Sequence, residues 1–231
     1  MSDQPTGDPI NVFFRDALLI VGDATRLYLI RHAQSQGNTG EDLTTGDPDL
    51  TDVGRKQAKR LGVRMKDARL DALYASPLRR TQETAFAIAD VTGLEVIPKA
   101  DLREVTLGQA DNDIRLLPED EQEEVARRII DEGTWDAFPG SEGSAASRAR
   151  IGAVMDEVIA ENAGKRVAVV VHAAFIQTYI SMVLGIERDF VFYPFNASIC
   201  SIRARGDHRV IWRLNDVSHL ADMPAGWGGI S

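Results

Sequence analysis

The chain predicts an α/β fold built on a mainly parallel sheet. Short apolar runs alternate with helical periodicity from Leu27 to Leu214, the pattern of strands joined by crossover helices. One run, Arg166–Val171, is nearly continuous valine, as a strand buried on both faces requires. Two of the four histidines, His32 and His172, stand directly after such runs. In open α/β sheets the strand ends point into the crevice where ligands bind.

Residues 1–11 are polar, with Pro5, Gly7 and Pro9, and read as a loose arm. Asn11–Val21 is more apolar, through Phe13, Phe14 and the run from Leu18. It reads as an extra strand or short helix, packed on the domain or on a second copy, with core packing the commoner fate of such aromatics. Leu27–Ile30 is a buried strand, and a loop rich in Gly, Asn, Thr and Asp follows to Leu50. Thr51 is placed to N-cap a helix, with Asp52 in its first turn and Ala58, Leu61 and Met65 on one face.

Leu70–Ala75 is the second strand. Ser76-Pro77 reads as an N-cap with proline at the first helical position, opening a helix towards Val91 with Leu78, Ala85 and Ile88 inward. Leu94–Ile97 is the third strand. Between 104 and 142 the rhythm breaks. Leu117–Glu132 holds seven acids and two arginines, the mark of a solvated helix, and Gly133, Pro139, Gly140 and Gly143 mark loops. A long helix with Ile151, Val154 or Met155, and Val158 on one face comes next. Beyond the valine strand, Phe175, Ile176, Tyr179, Ile180 and Val183 belong to a deeply buried helix. Ala197–Ile202 and Val210–Leu214 form a hairpin turned at Gly206-Asp207. The expected organisation is an arm, 1–25, and one domain, 26–231, with a cap insertion at about 104–142.

Composition narrows the function. The chain has 231 residues, 44% of them hydrophobic and 26% charged, enough for a real core. A net charge of −9 disfavours nucleic acid or an anionic membrane as partner. A small anion held in a locally positive pocket is still allowed. The single cysteine, Cys200, excludes an intramolecular disulfide and a cysteine-rich metal site, and its apolar surroundings suit a structural thiol. No basic residue precedes Arg15, and no apolar run approaches the roughly 20 residues that span a bilayer. A cytoplasmic location is expected.

Seven motifs in register carry a resemblance. Arg31-His32-x-x-Ser35-x-x-Asn38 is followed by Leu50-Thr51-x-x-Gly54-x-x-Gln57-Ala58 and by Ser76-Pro77-Leu78-Arg79-Arg80-Thr81-Gln82-Glu83-Thr84-Ala85. Leu102-Arg103-Glu104 with Gly108, Pro139-Gly140-Ser141-Glu142, Val169-Val170-Val171-His172, and Leu214-Asn215-Asp216 with His219-Leu220 complete the set. Together they resemble the histidine phosphatase superfamily, which includes the phosphoglycerate mutases, over about Leu27 to Leu220.

The resemblance implies a three-layer α/β/α sandwich and a metal-independent phosphatase without cofactor, acting on small phosphomonoesters. It implies that His32 accepts the phosphoryl group on a ring nitrogen. Arg31, Arg80 and His172 would clamp the phosphoryl oxygens, with Asn38 and the Ala173 amide as further donors, and Glu104 would give a proton to the leaving oxygen. The register selects Arg80 and leaves Arg79 on the surface; Glu83, three residues on, reads as an intrahelical partner of Arg80. These residue types suit the reaction, because phosphoryl transfer depends mainly on positioning and electrostatics and guanidinium forks fit phosphate oxygens.

Two departures stand out. The family's usual glycines after the two histidines are Ala33 and Ala173 here; alanine keeps the amide donor if φ is negative and is strained if φ must be positive. Gln34 replaces a commoner Glu and is expected to be neutral. Mutases of this family resemble one another in a longer, basic insertion. Here Arg115, Arg127 and Arg128 lie among many acids, with Glu123 and Glu124 on the arginine pair's own helix. A phosphatase is therefore favoured over a mutase or a phosphoprotein-binding module. Trp135 and Phe138 either wall the pocket or pin the insertion to the core. A homodimer through Asn11–Val21 is a further expectation.

Overall fold

A computed structural model describes residues 9–20, 22–42, 46–108 and 118–223. Six strands form one sheet in the order β3-β2-β4-β1-β5-β6: β1 (Thr25–Arg31), β2 (Ala72–Ala75), β3 (Val96–Pro98), β4 (Arg166–Val171), β5 (Ile199–Arg205) and β6 (His208–Asp216). The pairings β3–β2, β2–β4 and β4–β1 are parallel, while β1–β5 and the β5–β6 hairpin are antiparallel.

Alternation along the central strands divides the core in two. Leu27, Leu29, Val167, Val169 and Val171 pack with residues of α6 (Ser144–Glu161) and α7 (Ala173–Leu184). Ile30, Ala168 and Val170 face the other way, onto α3 (Asp52–Lys66) and α4 (Arg79–Thr92). The expected α/β/α sandwich with a mainly parallel sheet is the fold observed. The two helices α3 and α4 touch closely at Gly62, where a Cβ would lie 2.2 Å from the Ala87 carbonyl oxygen. No helix among the described residues is long and apolar enough to cross a membrane.

Most elements lie where the pattern puts them. Thr51 caps α3, accepting from the Gly54 amide at 3.0 Å. Ala58, Leu61, Met65, Ile151, Val154, Met155 and Val158 are all buried. The acidic helix is α5 (Glu119–Glu132). Cys200 is buried, which pushes its thiol up to about 11.

Two readings are corrected. Helix α4 begins at Arg79 with Leu78 as its N-cap, not at Ser76-Pro77, because the Ser76 hydroxyl is engaged elsewhere. Asn11–Val21 is only partly core. Its helix α1 (Pro9–Ala17) leaves Phe13 and Phe14 75% and 63% exposed, and only Leu19 is fully buried there. Polar contacts tie this segment to the β5–β6 hairpin instead: Arg205 pairs with Asp16 at 2.9 Å and Arg203 donates to the Leu19 carbonyl at 3.0 Å. Residue 21 lies outside the described residues. Of the two roles open to Trp135, the structure gives it the pinning one. Its indole N–H donates to Thr178 Oγ1 on α7 at 2.7 Å and its ring meets Phe190 edge-on at 4.5 Å.

Candidate active site

Strands β1 and β4 are parallel neighbours in which Arg31 pairs with Val171. The next residues, His32 and His172, therefore leave the sheet side by side. The His32 amide donates to the Val171 carbonyl at 2.9 Å, and the two rings stand edge to face with centroids 5.4 Å apart. His32 is 3% exposed and His172 not at all.

The proton on His32 can be located. Its Nδ1 lies 2.7 Å from the Ala33 carbonyl oxygen, which can only accept. Nδ1 therefore carries the hydrogen, and Nε2 presents a lone pair. Burial first, then the charges of Arg31 and Arg80, hold the ring's pKa well below 6.5. His172 is held down likewise, by burial and then by His32 and Arg80. Its Nε2 sits 2.9 Å from Ser76 Oγ, while the buried Nδ1 has no partner. Both rings are thereby biased towards the neutral form.

This state has a consequence for stability. A histidine neutral in the folded chain favours folding fully above its unfolded pKa near 6.5, and that contribution is lost as pH falls through the folded value. His219, drawn down to about 4 by burial, acts in the same sense. Glu104, pushed up by burial, has the opposite sign: its contribution is complete below its ordinary value and is lost as pH rises through the folded one. With three histidines against one carboxyl, the urea midpoint is expected to be lower at about pH 5.5 than at about pH 7.5. An equal or higher midpoint in acid contradicts the neutral histidines.

The arginines enter from two elements. Arg31 is buried at the end of β1; one Nη donates to the Pro194 carbonyl at 2.7 Å, and its Nε is unpartnered. Arg80 projects from the first turn of α4, 3.6 Å from Asp47. Arg79 is exposed and pairs with Asp49 at 3.3 Å, as the register predicts. Glu83 is not the partner of Arg80. It accepts from the Leu50 amide at 3.0 Å and pairs with Arg55 on α3 at 3.1 Å, contacts that turn it away from the cleft.

Asn38 lies in the short helix α2 (Gln36–Thr39). Its Oδ1 accepts from the Ser35 amide, the Ser35 hydroxyl and Asn196 Nδ2 at 3.0–3.1 Å, which leaves the amide nitrogen as the donor. Glu104 reaches the start of α7. Its carboxylate accepts from the Val105 and Phe175 amides at 3.0 Å and from Ala174 at 3.3 Å. Burial raises its pKa against the pull of those amides and of Arg80. Ala173, first in α7, has an amide outside the helical ladder. Neither Ala33 nor Ala173 has positive φ, so neither alanine is strained and both amides persist; the Ala33 amide donates to Thr84 Oγ1 at 3.0 Å.

Arg31, His32, Ser35, Asn38, Arg80 and Glu104 line one open cleft of about 250 Å³. His172 and Ala173 are not among its walls, although the His172 ring touches that of His32 edge to face. The start of α3 braces the loop after His32. Gln57 Oε1 accepts from the Gln34 amide at 2.9 Å, Thr51 Oγ1 donates to Gln34 Oε1 at 2.8 Å, and a Cβ on Gly54 would lie 1.9 Å from the Gln34 carbonyl oxygen. Ser76, Gln57, Thr51 and Gly54 thus support the site, and their place within the sequence motifs is the signal that marks them. Asn196, which donates to the His32 carbonyl at 3.1 Å, has no such signal.

Comparison with known proteins agrees with this geometry. Phosphoserine phosphatase 1 of Hydrogenobacter thermophilus is 33% identical over 205 residues, covering 86% of this chain and 95% of that one. A probable phosphoglycerate mutase GpmB of Yersinia pestis is 30% identical over 217 residues, covering 87% and 96%. Among solved structures, YhfR of Bacillus stearothermophilus superposes with a TM-score of 0.72 at 24% identity, covering 85% of this chain and all of that one. Residues 27–217 match the histidine phosphatase superfamily, branch 1, and with both histidines brought to one rim the chain belongs to that family.

Proposed function

We propose that the chain is a phosphomonoester phosphatase that works through a phosphohistidine on Nε2 of His32. The observation that carries this reading is an imidazole whose Nδ1 is committed to the Ala33 carbonyl, leaving Nε2 free, in one cleft with two arginines and a carboxyl group. In the first step the Nε2 lone pair bonds to phosphorus, the bond to the ester oxygen breaks, and that oxygen takes the proton of Glu104. In the second step the Glu104 carboxylate takes a proton from water, whose oxygen displaces the phosphoryl group from Nε2 as inorganic phosphate. Arg31 and Arg80 balance the charge spread over the equatorial oxygens, the amides of Asn38 and Ala173 add donors, and His172 becomes a charged clamp once the phosphoryl dianion arrives.

In this reading the described residues of the 104–142 insertion, 104–108 and 118–142, belong to a cap over the cleft. A bridge between Leu107 and Ser141 and the pairing of Arg150 with Glu142 at 2.5 Å support its base. Hydrolysis is favoured over mutase transfer because a mutase must hold a second anionic group. Arg128 is already paired with Glu132 at 3.1 Å, and Arg115 lies outside the described residues. Names among the relatives make phosphoserine the first substrate to try. The test is an assay with phosphoserine and 3-phosphoglycerate, following both phosphate release and exchange between the 2- and 3-positions of glycerate. Release of phosphate is expected. Exchange without release identifies a mutase, and no turnover of any monoester favours a binding module.

Glu104→Gln separates the acid's role from a structural one. Alkyl esters, whose leaving oxygen needs a proton, are expected to slow about 10²–10⁴-fold, and p-nitrophenyl phosphate far less. Equal losses on both would assign Glu104 to capping α7 alone. A cytoplasmic location follows from a small-metabolite substrate and is checked by cell fractionation. A homodimer through the exposed Phe13 and Phe14 belongs to the same proposal, and a monomer in sedimentation velocity removes it.

A further inference from the structure

A second, larger cavity of about 470 Å³ opens along the α3 face of the sheet, from the level of Arg26 to that of Ile199, and shares no lining residue with the phosphoryl cleft. Its floor is a row of arginines. In the sheet register Arg166 on β4 pairs with Arg26 on β1, and Arg26 pairs with Arg203 on β5. Directly paired residues share a face, so three guanidinium stems rise from adjacent strands about 4.8 Å apart. Arg64, Arg69 and Arg213 add to the lining, against only two carboxylates, Asp67 and Asp216. Asp216 is already divided between Arg213 at 3.2 Å and Arg64 at 3.8 Å. This concentration of positive charge occurs in a chain of net charge −9.

Packing alone gives no reason for the row. Like charges directly opposite one another on a sheet destabilise it. Arg203 finds the Leu19 carbonyl at 3.0 Å and stacks 4.0 Å over the Trp212 ring, and Arg166 reaches the Ala68 carbonyl only at 3.5 Å. The middle member, Arg26, has no side-chain hydrogen bond or ion pair among the described residues. Burial and the Arg26 charge together lower the pKa of Arg203. An anion would relieve all three.

We propose that this cavity is a second anion-binding site, separate from the phosphoryl cleft, for a small molecule carrying two or more phosphate groups. The row spans about 10 Å, more than one phosphate can bridge. Guanidinium forks are matched to phosphate oxygens, and the volume lies in the range of small-molecule sites. Arg26 lies near the start of β1 and His32 follows its end, so roughly 20 Å of strand separates the arginine row from His32. The inference does not depend on the phosphatase reading.

Isothermal titration with pyrophosphate tests it. The whole chain is expected to bind at two sites. Arg26→Ser should weaken one by at least about tenfold, leave turnover of a phosphomonoester unchanged, and reduce the pyrophosphate-induced rise in Tm to the share contributed by the cleft, while Arg80→Ala keeps the share contributed by the arginine row. Removing one of three like charges keeps the unliganded Tm at or above that of the wild type, so a folding defect is distinguishable. A single wild-type site lost in Arg80→Ala, or two sites unaltered by Arg26→Ser, overturns the proposal.

Discussion

His32→Ala is expected to remove turnover almost completely, by at least about 10⁴-fold, while the protein still binds inorganic phosphate. The asymmetry follows from the division of labour in the cleft. Arg31 and Arg80 are anchored independently of the imidazole, one on the Pro194 carbonyl and the other beside Asp47. The anion-binding charge therefore survives the substitution. What disappears is the Nε2 lone pair, and with it the covalent intermediate that divides hydrolysis into two easier displacements. Phosphate affinity within several-fold of the wild type, together with lost turnover, is the predicted pair of results. Turnover retained in protein free of contaminating phosphatase contradicts it.

Gly54→Ala is also expected to damage the rate, although Gly54 lies on α3 and touches no substrate. Propensity alone favours alanine inside a helix by about 1 kcal/mol. Here the added Cβ would meet the Gln34 carbonyl oxygen at 1.9 Å, so the loop two residues beyond His32 must move by more than an ångström. Misplacement of that size costs on the order of 10²-fold in rate. The expected outcome is a folded variant by circular dichroism whose kcat falls about a hundredfold. Wild-type kcat would mean that α3 does not position the loop.

Legibility followed the physics of each signal. Buried parallel strands require continuous apolar side chains, so Arg166–Val171 and the register of His32 with His172 could be expected from the chain. At the start of α4 a local capping signal loses to a distant partner: the Ser76 hydroxyl lies against His172, 96 residues away. Phe13 and Phe14 show that hydrophobicity alone does not decide burial. The neutral state of His172 was hidden because it depends on burial and on charges from three elements. The arginine row was hidden for a related reason, since only strand pairing brings Arg26, Arg166 and Arg203 together.

The claim that His32 is a covalent phosphoryl acceptor is tested most directly by rapid quench of the wild-type chain. The substrate is a radiolabelled monoester that it hydrolyses, the quench is alkaline, and the labelled peptide is then mapped and examined by phosphorus NMR. The prediction is an acid-labile, base-stable phosphoryl group on His32, attached at Nε2, since Nδ1 is committed to the Ala33 carbonyl. Label at Nδ1, label on another residue, or turnover with no labelled protein would contradict it.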